Sequence, residues 1–201
     1  YKYPYRPIVN QLYIMSLSLY KLSQFCAHMQ NSVRAKNPIT ALPYTEQNLA
    51  VSYKLMMNGF VSSIKRGSTN GPDVDEAVEV TEKNVKDKRL WVGLKYRNDK
   101  AAFNDMLPLS IPSLPLRLNL KQIRALASND LGKDPVFKNI SAIKPGEVVL
   151  VREILPLSKN ESSKIYTLSQ AIANEKYGAV MDLNEAVSKN ISQCILLLRA
   201  Y

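Results

Sequence analysis

Between positions 16 and 33 the apolar residues fall at Leu19, Leu22, Cys26, Met29 and Val33, with Phe25 beside them. Steps of three and four place these side chains on one face of an α-helix. Ser16 or Ser18 stands where an N-cap is wanted, and Asn37-Pro38 ends the run. ITALP (39–43) then reads as a short strand. Thr45 is placed to cap a second helix, EQNLAVSYKLMMNGF, whose stripe is expected at Leu49, Tyr53 and Met56. Asn58-Gly59 stops it, because glycine enters the left-handed region cheaply. FVSSIKR (60–66) alternates as a strand, GSTNGPD turns, and a brief strand is expected at 78–80.

The next strand, RLWVGLKYR (89–97), carries two different faces. Successive strand residues point to opposite sides, so Leu90, Val92, Leu94 and Tyr96 form a core face. Trp91, Gly93, Lys95 and Arg97 form the other, which offers a ring, a gap and two cations. Cations meet phosphates and rings stack on bases, although this strand alone favours the simpler reading of a half-buried strand with a solvated outer face. Beyond residue 100 the stretch FNDMLPLSIPSLPLRLNL is interrupted by prolines, as edge strands and turns are. Asn119 is placed to cap a helix with Leu120, Ile123 and Leu126 inward and Lys121 and Arg124 outward. VFKNISAI, GEVVLVREI, AVMD and QCILLLRA read as strands, and IYTLSQAIANEKYG as a helix. Asp182 with Glu185 three places on reads as a capping box for LNEAVSKNI.

This order predicts an α+β fold in two small domains. Residues 15–100 form an N-terminal helix–strand–helix unit with antiparallel strands. Residues 101–201 form a mostly antiparallel sheet with short helices. YKYPYRPIVNQ, with Pro4 and Pro7, suggests an extended arm or extension over 1–14.

Charge changes the picture more than composition does. The 201 residues carry a net charge of +10 and 46% hydrophobic residues, enough for real cores. Asp73, Asp75, Glu76, Glu79 and Glu82 lie in one run without a base, so the remaining chain is more cationic than its total. Such a balance points to a polyanion, nucleic acid or an anionic membrane surface. No apolar run approaches the roughly 18 residues that span a bilayer. Two cysteines are too few for a disulfide scaffold and suit a reducing compartment. From Tyr1 to Thr45 there is no acidic residue, a composition shared with mitochondrial targeting segments.

Nothing in the chain calls for a cofactor, a metal or a small-molecule substrate. His28 is the only histidine, and Cys26, two positions away on the same helix, points elsewhere. The glycines are scattered singly, without a phosphate loop, and the acidic run lacks the spacing of a calcium loop. No set of residues supports catalysis. What remains is a series of cations from both halves: Arg34, Lys36, Lys65, Arg66, Lys95, Arg97, Arg117, Lys121, Arg124 and Lys176, the last beside Tyr177 and Gly178. Converging on one footprint, they would fit a folded RNA.

Several strings also resemble the small-subunit ribosomal protein eight family. They are HMQNSVRAK with Asn31, LPYT with Thr45, LMMNGFVSSIKRGS with Gly59, the Leu94-Lys95-Tyr96 strand, LSIPSLPLRL with Arg117, and GAVMDLNEAV followed by QCILLLRA. RLWVGLKYR with MDLNEA is most similar to the fungal mitochondrial branch. The resemblance runs from Met15 to the end, with an expanded segment at 155–175. It implies a structural component of the mitochondrial small ribosomal subunit that binds the central domain of small-subunit ribosomal RNA, beside neighbouring ribosomal proteins, and supports assembly and translation in the matrix. It also implies RNA contacts at Asn31, Thr45, Lys176, Tyr177 and Gly178. The family's Ser-Thr-Ser-Lys-Gly loop falls at ANEKYG, where only Lys176 and Gly178 match, and its basic residue before Pro112 is Ile111. An RNA-binding assembly or translation factor is the alternative; a permanent component would co-sediment with the subunit at high salt.

Overall fold

The computed structural model describes residues 7–73, 81, 84–132, 134–138, 140–154 and 178–201. The first half runs α1 (Pro7–Arg34), β1 (Ile39–Pro43), α2 (Glu46–Met57), β2 (Val61–Ser68), β3 (Gly71–Pro72) and β4 (Arg89–Leu94). A small hairpin follows, β5 (Tyr96–Arg97) and β6 (Lys100–Ala101). The second half runs β7 (Met106–Pro108), β8 (Arg117–Asn119), α3 (Leu120–Ala127), β9 (Val148–Glu153), β10 (Val180–Asp182), α4 (Leu183–Ser188) and β11 (Gln193–Ala200). The fold is α+β, with antiparallel sheets.

The first sheet has the order β1-β4-β2-β3. The second has the order β10-β9-β11-β7, and β8 pairs with the early residues of β11 on the edge that β7 uses at its end. The anticipated face of α1 is the one buried: Leu19, Leu22, Phe25, Cys26 and Met29 pack on Leu42, Leu90, Val92 and Leu94 of the first sheet. Each such side chain contributes about 1.5–3 kcal/mol on full burial. The same core takes in Leu150, Leu197, Leu198 and Ala200, so α1 joins the two halves. A second core gathers Ile123, Leu126, Phe137, Val151, Met181, Ala186 and Leu196.

Four local expectations differ from the fold. The first helix begins at Pro7, not near Ser16, and takes in residues 7–14. Proline is tolerated at the first helical position, where its missing N–H has no partner to lose. The buried stripe of α2 is Asn48, Val51, Ser52 and Leu55, one step round from the large residues Leu49, Tyr53 and Met56. Asn48 goes inward because its Nδ2 donates to Pro43 O at 3.0 Å. Among its described residues VFKNISAI forms no strand: a 3-10 turn at Pro135–Phe137 puts Phe137 and Ile140 into the second core at a spacing of three. Asp182 makes no side-chain cap bond. Its Oδ2 accepts from Asn58 Nδ2 at 3.1 Å, and Glu185 takes Lys54 and Lys189 as partners, so both carboxylates tie α4 to neighbours. The strand expected at 78–80, residues 165–177 of the helix expected from IYTLSQAIANEKYG and the whole expanded segment at 155–175 lie outside the described residues.

Candidate RNA interface

The row Trp91, Gly93, Lys95, Arg97 divides in the folded chain. Trp91 is half-buried, and its indole N–H donates to Ser68 O at 2.9 Å. A Cβ on Gly67 of β2 would lie 2.8 Å from its Cδ1, so the ring lies close against that glycine. At Gly93 a Cβ would meet the Ser63 and Ser62 hydroxyls at 2.5 and 2.6 Å. These two positions are closed by protein. The other two lie past the sheet, because β4 ends at Leu94 and the chain turns back through β5 and β6. Asn98 and Asp99 form that turn with φ of 51° and 60°, the left-handed pair that a tight two-residue hairpin requires.

Between this hairpin and the end of α2 lies an open cleft of about 540 Å³. Lys95, Arg97 and Lys100 bring three exposed cations to its lining. Arg97 and Lys100 face each other across the hairpin, and Lys95 Nζ lies 3.4 Å from Gly59 O. Small residues, Gly59, Ala101 and Ala102, occupy the rest of the lining with Tyr96 and Asn98. The Tyr96 hydroxyl donates to Asn37 O at 2.8 Å, and burial pushes its pKa up, so it stays a neutral donor. Asp99 is the acid of the turn, 3.9 Å from Lys36 Nζ. Arg34, two residues before Lys36, stands 4.0 Å from Asp105, and Asn31 is exposed one turn back on α1. Exposed ion pairs of this kind hold by about 1 kcal/mol or less, so phosphate can displace the acid.

The remaining sequence-predicted residues lie elsewhere. Thr45 caps α2, its hydroxyl accepting from Asn48 N at 3.1 Å. Lys65 is exposed across from Trp91, and Arg66 is half-buried beside Asp73 at 3.6 Å. Arg117 on β8 and Lys121 and Arg124 on α3 are exposed on the second half, with Arg124 donating to Asn190 Oδ1 at 2.7 Å. Lys176 and Tyr177 are outside the described residues. Among the described cations, those that the structure brings around one cleft are Lys95, Arg97 and Lys100. Lys36 reaches the same hairpin through Asp99. Lys100, which the pattern along the chain did not single out, faces Arg97 across the hairpin and lines the cleft with it.

The chain is 37% identical over 116 residues to small ribosomal subunit protein uS8m of Neurospora crassa, an alignment covering 55% of this chain and 72% of the relative. The chain belongs to the uS8 family, in its mitochondrial branch. It is also 34% identical over 125 residues to uS8m of Schizosaccharomyces pombe, covering 62% of this chain and 78% of the relative. No family model matches the chain. In the stretch where the uS8 resemblance places a C-terminal RNA loop, Gly178 is buried. A Cβ there would stand 1.9 Å from Glu153 O, so the close approach that this glycine permits is to its own sheet.

Proposed function

We propose that this uS8 chain is a structural constituent of the mitochondrial small ribosomal subunit, holding small-subunit ribosomal RNA through the basic end of its first sheet and supporting assembly of the subunit and mitochondrial translation. Family membership supports the subunit, and neighbouring ribosomal proteins follow as partners. The observation that carries the RNA contact is the meeting of Lys95, Arg97 and Lys100 around one open cleft, with Lys36 beside it. Phosphate contacts made by lysine and arginine give affinity and salt dependence without a catalytic group. Among the described residues no three metal-ligating side chains come together, and no helix is long and apolar enough to cross a membrane. Thr45 at the head of α2, Lys65, Arg66, the α3 cations and the stretch at Lys176 and Tyr177 would be further contacts of the same RNA.

The test is the salt dependence of RNA binding by the full chain. Replacing Lys95 and Arg97 together by Ala should weaken binding and lower the slope of log K against log salt by up to about two, since each phosphate contact contributes roughly one. An unchanged slope removes this end of the sheet from the interface. Co-sedimentation of the wild-type chain with the small subunit in high salt should persist, and its loss would favour a transient assembly factor.

A further inference from the structure

A cation-lined surface is enough to hold the phosphates of an RNA duplex, and a duplex has nothing to insert into a cleft. This chain nevertheless keeps a recess of about 540 Å³ among its cations, within the roughly 300–1,000 Å³ typical of clefts that take small molecules. Resting on the RNA reading above, we infer that the cleft between Gly59 and the β5–β6 hairpin receives a single unpaired nucleotide of the bound RNA.

Three features support this occupant. The first is shape. Gly59 closes α2 with φ +81°, and a Cβ built on it meets nothing within 4 Å, so the space above it is open. Ala101 and Ala102 add little bulk on the hairpin side. The second is a ring already in place. Tyr96 lines the cleft, packs against the first core and has its hydroxyl bound to Asn37 O at 2.8 Å. A base stacking on it orders little that is not already ordered. The third is the distribution of polar groups. Lys95, Arg97 and Lys100 can take the flanking phosphates, and the exposed amide of Asn98 can donate to and accept from a base edge. Unpaired nucleotides that are splayed from a helix are recognised by this combination of stacking ring, amide and cation.

The experiment compares the full chain on two RNA hairpins by fluorescence anisotropy, one carrying a single unpaired adenosine and the other an extra base pair in its place. The bulged RNA should bind about tenfold more tightly, the lower range of one stacked base. In the Ala102→Leu variant, which adds bulk without charge, that ratio should fall towards one. Equal affinity of the wild-type chain for the two RNAs, with the salt slope of Lys95 and Arg97 intact, overturns the nucleotide cleft and leaves the RNA interface standing. A ratio that survives Ala102→Leu in a folded variant places the nucleotide elsewhere and also overturns it. Binding to neither RNA sinks this inference and the RNA reading together. The wild-type ratio needs no substitution, so a misfolded variant does not protect the idea.

Discussion

Arg199 shows how much one residue can hide. It lies in β11 within a run of apolar neighbours, and its side chain is 7% exposed beside a Glu147 side chain at 6%. The guanidinium donates to the Glu147 carboxylate, to Ser141 O and Oγ at 3.1 and 2.8 Å, and to Ala142 O at 2.6 Å. Burial pushes the Glu147 carboxyl up, yet the Lys144 N–H and the guanidinium outweigh it and hold the group below the ordinary range. The pair therefore anchors the turn before β9 to the central strand. Removing one partner leaves a buried charge uncompensated, whereas removing both does not. Arg199→Met should cost about 3–5 kcal/mol in urea unfolding followed by Trp91 fluorescence. The double change Arg199→Met with Glu147→Leu should recover most of that loss. A double variant as unstable as the single one would mean that the hydrogen bonds to Ser141 and Ala142 carry the stability.

At the level of elements, α2 combines a structural and a functional claim in Thr45. Its hydroxyl accepts from Asn48 N, one of the amides that a helix start leaves without a partner. Thr45→Ala should cost about 1 kcal/mol of stability. Thr45→Asp keeps an N-cap acceptor and adds a negative charge at the helix start, where the dipole favours it. If Thr45 also stands near phosphate, the Asp variant should melt like the wild type and bind RNA more weakly than the Ala variant. Thermal melts with binding titrations at one fixed salt concentration separate the two roles. Equal RNA affinities for the Asp and Ala variants would assign Thr45 to capping alone.

Across the whole molecule the two halves are joined by the first core and by a polar contact between α2 and α4. Lys54 and Lys189 both donate to Glu185, and Asn58 donates to Asp182. Hydrogen bonds from Lys189 and Lys54 lower the Glu185 pKa from 4.5 to about 2. A carboxylate whose pKa falls on folding stabilises the native state above its unfolded pKa, and that stability is lost as pH drops through the folded value. Melting temperature should therefore decline between pH 4.5 and about 2, and the advantage of wild type over Glu185→Gln should shrink through the same window. A gap between the two proteins that stays constant with pH would show that the Lys54 bond does not join the halves energetically.

Features that repeat at short range can be read from the order of residues alone. The inward face of α1 follows from Leu19, Leu22, Cys26 and Met29 alone, because helical spacing writes burial into the chain. Thr45 as cap, Gly59 as stop and the alternation of Leu90, Val92 and Leu94 were legible for the same reason. Asp182 and Glu185 satisfied that local grammar as a capping box and yet turned to α2. Their partners on α2, Asn58 for Asp182 and Lys54 for Glu185, are far away in the chain and appear only when the helices meet, while Lys189 adds a local partner to Glu185. Tertiary structure likewise decided that Trp91 and Gly93 face their own protein while Lys95 and Arg97 do not, since that depends on where β4 ends and what lies across it. It also decided which cations share an end of the sheet. Charge has no periodicity that records its neighbours in space, so a basic interface is anticipated from composition and located only by the fold.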